Sequence, residues 1–217
     1  MLKHMLLAVF AAATLAHLVF TWRKDIKGRR WTKPLLIISL LAYYLCVSAA
    51  PSKLLIAALI CSWIGDILLM WPGDLWLTLG GAFFIGAHVF LMVRFAMMTA
   101  SSDHPWLLMA PLACAFVIFS WLTYKKIKDK ISLFLKIVMF MYLIINSAMN
   151  IFAFMHLWSE WSAGALLASV GALMFFISDC VLYLVMYTDN TLLISNFTVM
   201  ITYLLAESLI VAGDLIH

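Results

Sequence analysis

Charge is scarce in this sequence. Asp, Glu, Lys and Arg make up 11% of its 217 residues, against about a quarter in soluble domains. Cysteine is sparser still, and Cys46, Cys61, Cys114 and Cys180 all fall inside apolar runs without metal-type spacing. They read as small buried apolar residues, with no disulfide or zinc site implied. Glycine-rich phosphate loops and histidine pairs at metal-ligand spacing are both missing, so the usual signatures of nucleotide and metal chemistry are absent.

What fills the chain instead is apolar surface: 66% of residues are hydrophobic, and the mean hydropathy is +1.08. A helical membrane span needs about 20 apolar residues. The expected fold is therefore all-α, a polytopic membrane bundle of eight transmembrane helices forming one transmembrane domain over residues 1–217. Eight such spans leave no room for a soluble domain. They are expected near His4–Trp22, Pro34–Ala50, Ser52–Trp71, Leu75–Met98, Trp106–Tyr124, Ser132–Leu157, Trp161–Tyr187 and Leu193–Asp214. Pro34 suits the first turn of the second span, and Pro72-Gly73-Asp74 is a turn signal. Ser101-Ser102-Asp103-His104-Pro105 forms the expected central loop. The first apolar run is followed by Trp22-Arg23-Lys24 instead of a small-residue cleavage site, so it is expected to be retained. Ala82 with Gly86, and Gly164 with Ala168 and Ala172, are spaced for close helix contact.

The net charge of +4 does not point to nucleic acid, because its excess sits in two short basic clusters. Eleven of the fourteen Lys and Arg residues lie at the ends that an eight-span topology places together, and only Lys3, Lys53 and Arg94 lie at the others. The positive-inside rule makes the rich side cytoplasmic and puts both termini outside the cytoplasm. A bacterial cell membrane is the expected location; a homo-oligomer is left open.

Two acids interrupt this pattern. Asp66 lies within the apolar stretch 52–71, and Asp179 lies within Phe175-Phe176-Ile177-Ser178-Asp179-Cys180-Val181-Leu182. A charge inside a span costs roughly 2.5–3.5 kcal/mol on insertion scales, so it is expected to face protein or a wet cavity. At 1.5 Å per residue, Asp66 comes roughly 20 Å and Asp179 roughly 24 Å along their spans, both in the inner half of the bilayer. The two are expected to approach each other as a paired-acid site. The short recurrence leaves open a parallel duplication of residues 1–98 as 105–217. Ser62 precedes Asp66 by one turn, and Tyr183 follows Asp179 by one turn. His88, Asn146, Asn150, Tyr203 and Glu207 come nearer the midplane, with Lys33 at the inner mouth. For each, interhelical hydrogen bonding stands beside a role in chemistry, and for Lys33 an ordinary topology lysine does.

In order, Lys33-Pro34, Ser62-Trp63-Ile64-Gly65-Asp66, Phe83-Phe84-Ile85-Gly86-Ala87-His88, Ser178-Asp179 and Tyr203-Leu204-Leu205-Ala206-Glu207 resemble the motifs of the YhhN-like membrane family, which includes the lysoplasmalogenases. The resemblance covers residues 33 to 212 and departs at Glu207, where that family carries Gln. It implies an eight-helix hydrolase that cleaves the vinyl ether of lysoplasmalogens, giving a fatty aldehyde and glycerophosphocholine or glycerophosphoethanolamine, with no cofactor. Asp66 and Asp179 would be the catalytic pair. Lys33, Ser62, His88, Asn146, Tyr203 and Glu207 would hold the lysophospholipid substrate or its water within the bilayer. Protonation of the ether's β-carbon needs one acid kept neutral by burial and one carboxylate beside the cation, a division that two neighbouring acids can provide. The rivals are a proton-coupled transporter using the same acids, a non-catalytic lipid-binding protein, and a metal-dependent hydrolase with Asp66, His88, Asp179 and Glu207 as ligands.

Overall fold

The computed structural model describes residues 1–99, 106–189 and 191–216; the expected loop Ser101-Ser102-Asp103-His104-Pro105 lies outside these. Among the described residues there is no strand. Eight α-helices follow in order: α1 Leu2–Trp22, α2 Ile26–Val47, α3 Lys53–Leu68, α4 Asp74–Met98, α5 Trp106–Ile127, α6 Leu133–Ser159, α7 Ala163–Tyr187 and α8 Asn196–Ile216. Five of them (α1, α4, α6, α7 and α8) are long and apolar enough to cross a membrane.

Side-chain caps explain where several helices begin. Ser52, Ser132 and Ser162 accept hydrogen bonds from the backbone N–H groups of Leu55, Leu135 and Ala165, which satisfies donors that an apolar helix start cannot. Asp25 does the same for α2, accepting from Lys27 and Gly28 at 3.0 and 3.1 Å. This cap starts α2 eight residues before Pro34. The first basic cluster is thus mostly helical, and Pro34 lies inside α2 instead of in its first turn. The second cluster is likewise the end of α5 and a 3₁₀ turn at Lys128–Lys130. In contrast, α3 stops at Leu68, short of Trp71, and the chain turns through Gly73 at φ +114°, a conformation that only glycine adopts without strain.

The chain divides into two compact units, Met1–Phe90 and Leu91–His217, with the boundary inside α4. In the first, α2 packs against both α1 and α3. The α3–α4 contact turns on Gly65 and Gly80: a Cβ on Gly65 would come within 2.8 Å of the Phe84 ring, and one on Gly80 within 3.3 Å of the Gly65 carbonyl. The expected Ala82–Gly86 face is not the close one. Ala82 is exposed, and a Cβ on Gly86 would meet only Cys61 Sγ, at 3.5 Å.

In the second unit α7 packs against α6 and α8, and α5 touches both α6 and α7. Phe116, Ile127, Met139, Leu143, Phe176 and Cys180 make one apolar cluster. Cys180 is the one buried cysteine; Cys46 and Cys114 lie on exposed helix surfaces and Cys61 is half-buried, so burial does not explain all four. Arg94 holds Asp214 through Nε and Nη2 at 3.0 and 2.7 Å, tying α4 to α8.

The small-residue face of α7 does what its spacing suggests. A Cβ on Gly213 would fall 2.7 Å from the Gly164 carbonyl and 2.9 Å from Ala168 N, and one on Gly171 2.9 Å from the Ala206 carbonyl. These are backbone atoms, so α7 and α8 would have to separate. Gly213→Ala is expected to destabilise the protein by about 1–3 kcal/mol, read as a lower melting temperature in detergent. Gly81→Ala, where a Cβ would meet nothing within 4 Å, is expected to leave that temperature unchanged or raised.

Candidate functional site

The sequence-predicted residues divide between the two units: Lys33, Ser62, Asp66 and His88 in the first, Asn146, Asn150, Asp179, Tyr203 and Glu207 in the second. In the first, Asp66 occupies the last turn of α3, where the helix dipole disfavours a carboxylate, and it is buried. Its compensation comes from α2. Lys33 Nζ stands 3.1 Å from Asp66 Oδ1, with 13% and 4% of the two side chains exposed. Early capping by Asp25 makes this possible, because it carries the helix through Lys33 and Pro34. Beside the pair, Trp63 Nε1 donates to the Pro34 carbonyl at 2.8 Å, fixing α2 against α3 three residues before Asp66. The Lys33 ammonium, expected at the inner mouth to hold the substrate, is thus engaged by a carboxylate.

Ser62 is buried one turn before Asp66. On α4, His88 is buried and its Nδ1 lies 2.6 Å from the Phe84 carbonyl. A carbonyl only accepts, so Nδ1 carries the proton and Nε2 is the acceptor site of the neutral ring. Because Phe84 packs on Gly65 and Gly86 lies beside Cys61, His88 sits more than one turn from the Asp66 level, towards the start of α3.

In the second unit Asp179 is buried on α7, and its Oδ2 accepts from Asn146 Nδ2 at 2.7 Å. Asn150 orients that donor: its own amide donates to the Asn146 carbonyl at 3.0 Å and to Asn146 Oδ1 at 3.2 Å. With both Asn146 acceptors occupied, its N–H₂ group turns to Asp179. The Tyr142 hydroxyl also hydrogen-bonds Asp179, and the Tyr142 ring meets Tyr183 edge-on at 5.7 Å. Tyr142 is the residue that sequence reasoning missed. The signal was present as Tyr142, Asn146 and Asn150 at four-residue spacing, one face of α6.

Tyr203 and Glu207 are buried one turn apart on α8, and the Tyr203 ring packs edge-on against Phe175 at 5.6 Å. Their level follows from the α7–α8 register. Ser178 Oγ donates to the Val199 carbonyl, and Gly171 faces Ala206 and Ile210. Glu207 therefore lies roughly 12 Å along the helix axis from the Asp179 level. Among the described residues, no three His, Cys, Asp or Glu side chains are grouped so that they could hold a metal ion.

Removing one partner of a buried ion pair leaves the other charge uncompensated, at a cost of about 3–5 kcal/mol. Lys33→Met is expected to lower thermal stability in detergent accordingly, and Lys33→Met combined with Asp66→Asn to recover most of the loss. An equal loss from Lys33→Met in the Asp66→Asn background would show that the two side chains are not coupled.

No curated protein and no solved structure matches the chain. The sequence pattern of the YhhN family matches residues 28–213, a stretch that contains the Lys33–Asp66 pair, His88, the Asn146–Asp179 hydrogen bond and Glu207. On that match, the chain belongs to the YhhN family.

Proposed function

We propose that this protein is an integral membrane hydrolase that cleaves the vinyl ether of a lysoplasmalogen, with Asp179 as the acid and Asp66 as the carboxylate. All eight helices cross the bilayer in this reading, with the basic ends of α2 and α5 in the cytoplasm. Family membership supports the activity class. The observation that divides the roles is the Lys33–Asp66 ion pair: it calls for the carboxylate form of Asp66, which leaves the role of the acid to Asp179.

The chemistry runs in three steps. Asp179 delivers its proton to the ether's β-carbon, leaving an oxocarbenium ion at the carbon that bears oxygen. Asp66 takes a proton from the water that adds to that cation. The hemiacetal then collapses: its hydroxyl proton passes to the Asp179 carboxylate, Asp66 gives its proton to the departing glycerol oxygen, and a fatty aldehyde is released. One water is consumed, and both carboxyl groups return to their starting forms. Lys33 keeps Asp66 ionised between turnovers, while Asn150 and Asn146 hold the Asp179 carboxyl in one orientation. Ser62, buried one turn before Asp66, would hold the water.

Purified protein in detergent is expected to release aldehyde from a lysoplasmalogen. General acid–base groups contribute about 10²–10⁴-fold, so Asp179→Asn and Asp66→Asn are each expected to lower kcat by at least the smaller factor while the protein stays folded by circular dichroism. Full turnover by both variants would leave the acids as scaffolding, and no aldehyde from the unaltered protein would remove the hydrolase reading.

A further inference from the structure

Between α1 and α2 lies a polar seam that the reaction above does not use. His17 is fully buried in α1, upstream of the family match. Its Nδ1 lies 2.8 Å from Thr32 Oγ1, and the Thr32 hydroxyl is 2.9 Å from the Gly28 carbonyl. The carbonyl takes the Thr32 proton, so Thr32 accepts from His17 Nδ1–H. This leaves Nε2 of the neutral ring as a lone pair that can only accept. Nε2 is buried and has no partner among the described residues, and neither do the buried Thr14 Oγ1, Thr21 Oγ1 and Arg29 Nε. Unmet polar atoms at this density are costly in a protein interior. Their grouping on the facing sides of two helices indicates a place that something else completes.

The chemistry of the missing partner can be read from these groups. Arg29 is a half-buried guanidinium with no carboxylate on it among the described residues; it calls for an anion, and its planar fork suits a phosphate. Lys33 and Arg29 are the charges that act electrostatically on the His17 ring. Lys33 is already committed to Asp66, so Arg29 is the cation left for a ligand. Arg29 precedes Thr32 by three residues, roughly 4.5 Å along α2, which places it nearer the helix end than His17. A phosphate at Arg29 and a hydroxyl at His17 Nε2 are thus separated by about the reach from a lipid's phosphate to the middle carbon of its glycerol.

We propose that His17 and Arg29 form the head-group subsite that recognises a lysophospholipid, with His17 Nε2 accepting the free hydroxyl of the glycerol and Arg29 binding the phosphate. This rests on the hydrolase reading for its biological purpose but not for its test. His17 is then a specificity-determining residue. A lipid acylated at that hydroxyl has no proton to offer, and it leaves the buried nitrogen unmet. Lys33, the partner of Asp66, also acts electrostatically on the His17 ring, so the subsite and the ion pair share one stretch of α2.

The test uses the full protein in detergent and lipids that cannot be hydrolysed: a saturated 1-O-alkyl lysophosphocholine, and the same lipid with its free hydroxyl replaced by hydrogen. Binding measured by calorimetry is expected to favour the hydroxyl form by about tenfold, one buried hydrogen bond's worth. His17→Ala is expected to abolish the preference while leaving the weaker binding of the deoxy lipid unchanged. Arg29→Gln is expected to weaken both lipids equally. The comparison of two ligands on the unaltered protein needs no variant to fold, and equal affinities there would overturn the proposal. So would a preference that survives His17→Ala, which would mean that an ordered water completes the seam. Aldehyde release without the preference would sink this subsite alone; the preference without aldehyde release would sink the hydrolase alone.

Discussion

A carboxylate near the end of a short apolar helix needs a counter-charge, and the Lys33–Asp66 ion pair supplies it. Much of the first unit can be traced to that requirement. Asp25 caps α2 early enough for Lys33 to be helical, and Trp63 bonds across to the Pro34 carbonyl. Gly65 and Gly80 let α3 and α4 close beside the pair. An ion pair taken out of water is not a strong source of stability, because desolvation offsets its attraction. Its retention between two packed helices is better understood as a way to keep one carboxylate ionised where an apolar interior would otherwise neutralise it.

The second unit handles its acid by a different route. Asp179 is surrounded by hydrogen-bonding groups arranged along one face of α6, and each orients the next: Asn150 fixes Asn146, which meets Asp179. The tight α7–α8 contact at Gly171 and Gly213 sets the register that places Tyr203 and Glu207 along α7. Two acids of the same kind are thus given unlike surroundings, and unlike surroundings are what can separate a proton donor from a carboxylate.

How much of this was legible in the sequence depended on the range of the interaction. Apolar runs mark the helices because hydrocarbon imposes the same demand on every residue of a span, and Asp66 and Asp179 stood out against it. The α7 packing face was legible because its spacing is local. The α3–α4 contact was not, because Gly80 lies opposite Gly65 only once both helices are placed. Pro34 read as a helix start since proline suits that position, yet the Asp25 cap, nine residues earlier, took precedence. Cys46 and Cys114 read as buried because apolar neighbours do not reveal whether a helix face meets protein or lipid. Tyr142 was hidden among aromatics in an apolar run. His17 drew no notice, since a lone histidine among alanines and leucines has meaning only beside Thr32 and Arg29. The Lys33–Asp66 contact joins residues on different helices, and no periodicity carries that information.

The account stands on a buried carboxylic acid giving its proton to carbon. Turnover of a lysoplasmalogen in heavy water, with the aldehyde trapped as it forms, tests this directly by mass spectrometry. One deuterium is expected on the carbon next to the aldehyde carbonyl, delivered from Asp179 after it has exchanged with solvent. An enzyme-released aldehyde without deuterium at that carbon would contradict it.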